Sequence, residues 1–356
     1  MLNDEDDILK RLIIADASFL TLLEKINLQN KLDTPARLAL MSLNAVSEAV
    51  GRVLKTTSWD GKAYLAKART AHRLISALGI SWTAYDKEDY PAMLREMNDP
   101  PYMIFYRGSL DTLKNKCVSV VGTRRVTMCG RKAAHDFGRD AAADGCTVVS
   151  GLAYGVDICA HRGAVEASEN ALQSETGNEA HGATHGGEHG ATAAVLPSGI
   201  DTITPAAHAK TAARIIETGG CILSEYTPGT PAESFRFVQR NRIIAALSPA
   251  TVVIQAPAGS GALITASFAL EYGRDVLFHE AAFSTEAKFL REAAEHDLKA
   301  QIARGKKVSY KLENSPEKYR SDGAPVIENY ADYCFVRSQA PETADGKKSN
   351  KQLDLF

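Results

Sequence analysis

No apolar run in the 356-residue chain approaches the ~18 residues that a membrane-spanning helix needs, which argues against a helical membrane protein. An excess of one charge is missing too. The 41 Lys and Arg against 43 Asp and Glu leave a net charge of −2, so any nucleic-acid binding must come from a local basic patch. The six cysteines, at positions 117, 129, 146, 159, 221 and 334, include no Cys-x-x-Cys pair. That spacing argues against a zinc knuckle or redox pair and fits free thiols in a reducing compartment. The start, Met1-Leu2-Asn3-Asp4-Glu5-Asp6-Asp7, is acidic where a secretory leader is basic, so a cytoplasmic protein is expected. What remains is ordinary for a globular chain, with 45% hydrophobic and 24% charged residues. At roughly 100–200 residues per domain, the length allows about two domains.

The pattern changes along the chain. Over 1–80 it is helical, with Ile8, Leu9, Leu12, Ile13 and Ala17 on one stripe, a second helix expected over 35–53 and a third over 61–78. Pro91, Pro100 and Pro101 then punctuate a stretch expected to be connecting structure. From Cys117 onward, strands expected at 118–121, 147–150, 192–196, 222–224, 251–255 and 276–278 alternate with helical patterns. Such alternation implies an α/β fold with a parallel sheet covered on both faces, which binds ligands at the carboxyl ends of its strands. Residues 168–190 interrupt the rhythm with His181, His185 and His189 in a four-residue repeat. Its glycines favour a loop over a helical metal site. Residues 286–322 form a second charged insertion, and 338–356 a polar tail expected to be disordered.

The chemistry-bearing residues gather at strand ends. Gly122-Thr123-Arg124-Arg125 follows the first strand of this series and precedes a helix. Bare amides and a helix dipole there suit a phosphate, and Arg124 adds a forked donor. The turn is neither the Gly-x-Gly-x-x-Gly fingerprint nor a Walker loop. The next strand leads into Ser150-Gly151-Leu152-Ala153-Tyr154-Gly155, followed by Asp157 and His161, which are expected to support the loop. No serine or cysteine has an evident base partner, so nucleophilic catalysis is not indicated. In the run 235–242, Arg236, Arg240 and Arg242 are phosphate-directed donors, and Phe235 or Phe237 can stack on an unpaired base. Ser260-Gly261 opens a further helix with another anion nest.

In order, these segments resemble the bacterial DNA-processing protein A family, also called Smf. The resemblance runs from Tyr90-Pro91 through the Gly122-Thr123-Arg124 turn and the Ser150–Gly155 loop to the run Arg240-Asn241-Arg242-Ile243-Ile244-Ala245. It continues through Ser260-Gly261, Thr265 and Gly273-Arg274-Asp275. It implies a Rossmann-like, doubly wound, mainly parallel sheet over 86–337 with a small helical module over 1–85. It implies a single-stranded DNA-binding homodimer that loads the recombinase RecA, deals with single-strand-binding protein in natural transformation, and needs neither cofactor nor turnover. The implied DNA contacts are Gly122, Thr123, Arg124, Arg125, Ser150, Gly151, Tyr154, Gly155, Phe237, Arg240, Asn241, Arg242, Ser260 and Gly261. Where the family often carries a loop lysine, this chain has Tyr154.

The last five residues, Gln352-Leu353-Asp354-Leu355-Phe356, resemble the short motif by which bacterial proteins dock on the replicative sliding clamp, with apolar anchors and a polar rim residue. The competing reading of the whole chain is a Rossmann-like nucleotide-derivative hydrolase or sensor. It requires a carboxylate in the Gly-rich loop, and Gly259-Ser260-Gly261 offers none.

Overall fold

The computed structural model describes residues 4–56, 59–176 and 190–339. Five helices come first: α1 (Asp4–Asp16), α2 (Leu22–Lys31), α3 (Pro35–Leu40), α4 (Leu43–Val50) and α5 (Gly61–Leu78). The helix expected over 35–53 is two. The Ser42 hydroxyl accepts from the Ala45 N–H at 3.2 Å, and such a cap starts a new helix rather than continuing the old one. Strand β1 (Ser81–Ala84), the short α6 (Ala92–Arg95) and β2 (Met103–Gly108) follow. The proline-punctuated stretch expected to be connecting structure thus carries two strands. Pro100 and Pro101 end the preceding turn and hand an extended chain to the buried Met103, Ile104 and Phe105.

Next, β3 (Cys117–Val121), α7 (Met128–Ala143), β4 (Thr147–Ser150), α8 (Val156–Thr176), β5 (Thr192–Val195), α9 (Ala209–Glu217) and β6 (Cys221–Ser224) alternate. They are followed by α10 (Ser234–Ala246), β7 (Ala250–Val253), α11 (Gly261–Glu271) and β8 (Asp275–His279). The chain then runs through α12 (Thr285–Ala303), α13 (Tyr310–Glu313), α14 (Pro316–Ser321), β9 (Val326–Ile327) and α15 (Tyr330–Gln339).

The nine strands form one sheet in the order β1-β2-β6-β5-β4-β3-β7-β8-β9. Pairing is parallel from β6 through β9, and antiparallel only where β2 joins β6 and β1 joins β2. Every residue of β3 to β7 is buried, as a sheet covered on both faces requires. Alternate residues serve opposite cores. Val118 and Val120 pack with Phe137 of α7, whereas Cys117 and Val121 pack with Ile244 of α10 and Leu263 of α11. This is the doubly wound, Rossmann-like fold.

The N-terminal helices pack on the same sheet. Leu12, Ile13 and Leu38 share a core with Met103, Phe105, Ile222 and Leu196. Strand β1, just before the module boundary expected at residue 85, belongs to the sheet as well. The chain steps from β3 toward β6 on one flank and from β7 toward β9 on the other. The order therefore reverses between β3 and β7, and a crevice opens there. No described helix is long and apolar enough to cross a membrane, and all six cysteines are free. The histidine repeat at 181–189 and the segment 352–356 lie outside the described residues.

Candidate nucleic-acid interface

At the reversal point, the ends of β3 and β7 and the first turns of α10 and α11 wall a cavity of about 610 Å³. Helix α10 begins at Ser234, six residues before the helix expected from Arg240. Its positions 237, 240, 241 and 244 fall at i, i+3, i+4 and i+7. That one stripe turns Phe237, Arg240, Asn241 and Ile244 to the cavity. From the strand turns come Gly122, Thr123, Arg124, Arg125, Ser260 and Gly261, with Asp157 at the base.

The cationic lip is held lightly. Arg124 and Arg125 are exposed. The Arg124 guanidinium lies 5.0 Å from the Phe237 ring centroid, a contact typically worth about 0.5–1 kcal/mol at exposed sites. The turn beneath is firm. Thr123 N–H donates to Gln255 O at 2.6 Å, and the Arg125 N–H donates to the Thr123 hydroxyl at 3.2 Å. Gln255, which sequence reasoning missed, also ties Thr127 to Ala281 through its side-chain amide. Asn241 donates to Gly261 O at 3.1 Å and so joins α10 to the start of α11.

The two other arginines of this set point inward. Arg240 was expected at a phosphate. Instead its guanidinium is buried and donates to Gly151 O at 2.8 Å and to Val195 O. Burial pushes its pKa down to about 10, with Arg124 adding repulsion and Asp157 opposing both. Arg242 was expected at the DNA backbone as well. It is buried on another face of α10, bonded to Glu225, with Nε 3.2 Å from the Asp99 carboxylate and Nη1 donating to Asp99 O at 2.9 Å. Burial works against the Arg242 charge, but Glu225 and Asp99 outweigh it and hold its pKa above the ordinary value. Burial likewise raises the Glu225 pKa, against the pull of Arg242 and Lys25.

The loop after β4 is tied into the fold. The Ser150 hydroxyl donates to Val120 O at 2.6 Å inside the sheet. A Cβ on Gly151 would stand 2.6 Å from the Arg240 guanidinium nitrogens, and Gly155 holds a φ of +84° against the Thr123–Arg124 backbone. Asp157 accepts from the Gly151 N–H at 3.1 Å, and burial raises its pKa although Arg240 opposes. His161 Nε2 accepts from the Leu152 N–H at 3.3 Å. Its Nδ1 lies 2.7 Å from the Thr192 hydroxyl, which itself donates to Val148 O. That arrangement needs a proton on Nδ1 and none on Nε2. Burial first, then Arg240 and His208, push the His161 pKa down to about 3, so the ring is neutral at physiological pH. Leu152 sits at φ +55°, pinned by His161 on its N–H and by His208 on its carbonyl at 2.7 Å. Tyr154 is half exposed and meets His208 edge to face at 4.7 Å, away from the cavity lining.

An aromatic ledge adjoins the lip. Arg236 lies 5.5 Å from the Tyr226 ring and 4.9 Å from that of Phe235, which is 56% exposed. Tyr226 carried no signal in the sequence beyond being a single aromatic after β6.

The fold and the crevice define a Rossmann-like protein with arginines and glycine-bearing turns at its switch point. A family model described as DNA recombination-mediator protein A matches residues 81–308, and the chain belongs to that family. Among similar proteins, Protein Smf of Escherichia coli (strain K12) is 36% identical over 54% of this chain and 46% of its own length. Protein Smf of Borreliella burgdorferi is 28% identical over 86% and 88%. The DNA processing protein DprA of Streptococcus pneumoniae is 37% identical over 52% and 58%. The chain thus spans about half the length of the first and last of these relatives. Among solved structures, DNA processing protein A from Streptococcus pneumoniae superposes with a TM-score of 0.63 at 23% identity, covering 94% of this chain and 98% of that one. The protein from Helicobacter pylori, whose structure is described as showing a single-stranded DNA binding mode, does so at 0.52 and 22%, covering 72% and 96%. At these identities the likeness is one of fold.

Proposed function

We propose that the chain is a recombination mediator that binds single-stranded DNA at the β3–β7 crevice and acts by binding rather than turnover. The observation that carries this reading is the cavity itself. Arg124 and Arg125 form its lip, Gly122 and Gly261 keep backbone accessible, and Phe237 offers a ring. Cations that neutralise phosphates release counterions, and stacking on a ring tolerates any base. The one carboxylate lining the cavity among the described residues, Asp157, is buried and committed to the Gly151 amide, which disfavours the hydrolase alternative.

Arg240, Arg242, Asp157 and His161 then act through the scaffold, and the phosphate contacts fall to Arg124, Arg125 and the turn amides. Loading of RecA, exchange with single-strand-binding protein and pairing into a homodimer are the partner functions that accompany this reading. Clamp docking belongs to Gln352, Leu353, Asp354, Leu355 and Phe356. Deleting residues 352–356 should abolish co-elution with the clamp, and unchanged co-elution removes that part.

The test is a titration of labelled oligo-dT and of duplex of equal length at two salt concentrations. Expected are a preference for the single strand, a steep salt dependence, and a loss on Arg124→Ala that is alike for all sequences. Equal affinity for duplex, or indifference to Arg124→Ala, would overturn the reading.

A further inference from the structure

We infer that Lys311, on the α13 segment of the charged insertion, is a phosphate-binding residue of the same crevice, placed beside the Gly259 turn. The inference rests on the DNA-binding reading above and adds a residue from an element outside the motifs that define the site.

Three observations converge. First, Lys311 lines the cavity, and its stem runs along the turn after β7. Its Cβ and Cδ lie 3.4 Å from where a Cβ at Gly259 would stand. Second, among the described residues Lys311 makes no ion pair and no side-chain hydrogen bond, so its ammonium is not spent within the fold. The neighbouring cations are, with Arg291 on Glu317 and Lys318 on Asp322. Third, two polar atoms of lining residues have no partner among the described residues. The Ser260 hydroxyl and the Arg240 Nε are both buried and both lack a hydrogen-bond partner, and both residues line the cavity. Arg240 is 3% exposed.

The lining cations not spent on the backbone are Arg124, Arg125 and Lys311, with Arg240 bonded to Gly151 O and Val195 O and Asp157 the one lining carboxylate among the described residues, a balance that suits an anion with several acceptor oxygens. A phosphate fits this set. A lone carboxylate would leave the other cations unsatisfied. The loop 150–155 contributes no cation, and Lys311, 156 residues beyond Gly155, adds one to the lining.

The experiment measures oligo-dT affinity and its salt slope for the full chain and four variants. Lys311→Met keeps the apolar stem against Gly259 and removes the charge. Lys311→Arg keeps the charge. Lys307→Ala removes an exposed lysine of the same segment that does not line the cavity. Arg124→Ala tests the parent reading. Expected are a roughly 3- to 10-fold loss for Lys311→Met and a salt slope smaller by about 0.7, the value of one single-strand phosphate contact. Lys311→Arg and Lys307→Ala should stay within about twofold of wild type. If Lys311→Met lowers the melting temperature, Lys311→Gln is read in its place. A Lys311→Met no weaker than Lys307→Ala, beside a weakened Arg124→Ala, overturns the inference and leaves the parent reading standing. If wild type itself shows no single-strand binding, both fall.

Discussion

The arginines of the crevice and the arginines of the helix behind it carry the same charge and do opposite work. Arg124 and Arg125 ride an exposed turn, where a guanidinium keeps most of its donors for a ligand. Arg240 and Arg242 stand on two faces of α10 and spend theirs on Gly151, Val195, Glu225 and Asp99. The sequence context looks alike in both places, since each is a short run of arginines beside a glycine or an aromatic. The difference is burial. A buried guanidinium must find partners within the fold, and a rim guanidinium is left to the solvent or to a polyanion.

The comparison breaks most visibly at Arg242. Arg242→Ala leaves Glu225 buried with its charge unopposed at short range, and losing one partner of a buried pair costs about 3–5 kcal/mol. Chemical denaturation should show that loss, whereas Arg124→Ala should stay within about 0.5 kcal/mol of wild type. Gly151→Ala comes next. Its methyl would meet the Arg240 guanidinium, an overpacked contact worth about 1–3 kcal/mol in the same denaturation assay.

A pH series sharpens the picture of the β4 loop. The folded pKa of His161, about 3, lies below the unfolded value near 6.5. Between those values the unfolded chain binds more protons, so stability is full above pH 6.5 and is lost as pH falls toward 3. Between pH 6.5 and 5 the loss is about 1.5 kcal/mol from this ring. His279, also lowered by burial, acts in the same direction. His161→Gln should flatten the profile by the His161 share. An unchanged slope would show that the ring is charged or exposed. A smaller loss is expected at Asn241→Ala, which gives up one hydrogen bond to Gly261 O, about 1 kcal/mol. It should also loosen the mouth of the crevice, read as a modest fall in oligo-dT affinity.

Much of this was legible in the sequence because burial writes a period. The strands from β3 to β8 and the helices between them follow from β-branched runs alternating with helical spacing. The crevice follows from turns rich in small residues at strand ends. Strands β1 and β2 were hidden by the prolines around them and by their antiparallel pairing, which no alternation announces. The start of α10 at Ser234 puts Phe237 on the same stripe as Arg240, and the direction of Arg240 and Arg242 was hidden because their partners are remote in sequence. Glu225 and Asp99, which claim Arg242, lie 17 and 143 residues away in sequence. Lys311 sits in an insertion whose charges otherwise read as solvated surface. Those are long-range contacts, and only the folded chain brings them together.

Hydrogen exchange of the full chain with and without oligo-dT tests the central claim most directly. The account expects new protection at residues 122–125 and 258–262, the two turns that face each other across the β3–β7 crevice. Protection confined to 81–84 and 103–108, at the far edge of the sheet, with 122–125 and 258–262 unchanged, would contradict it.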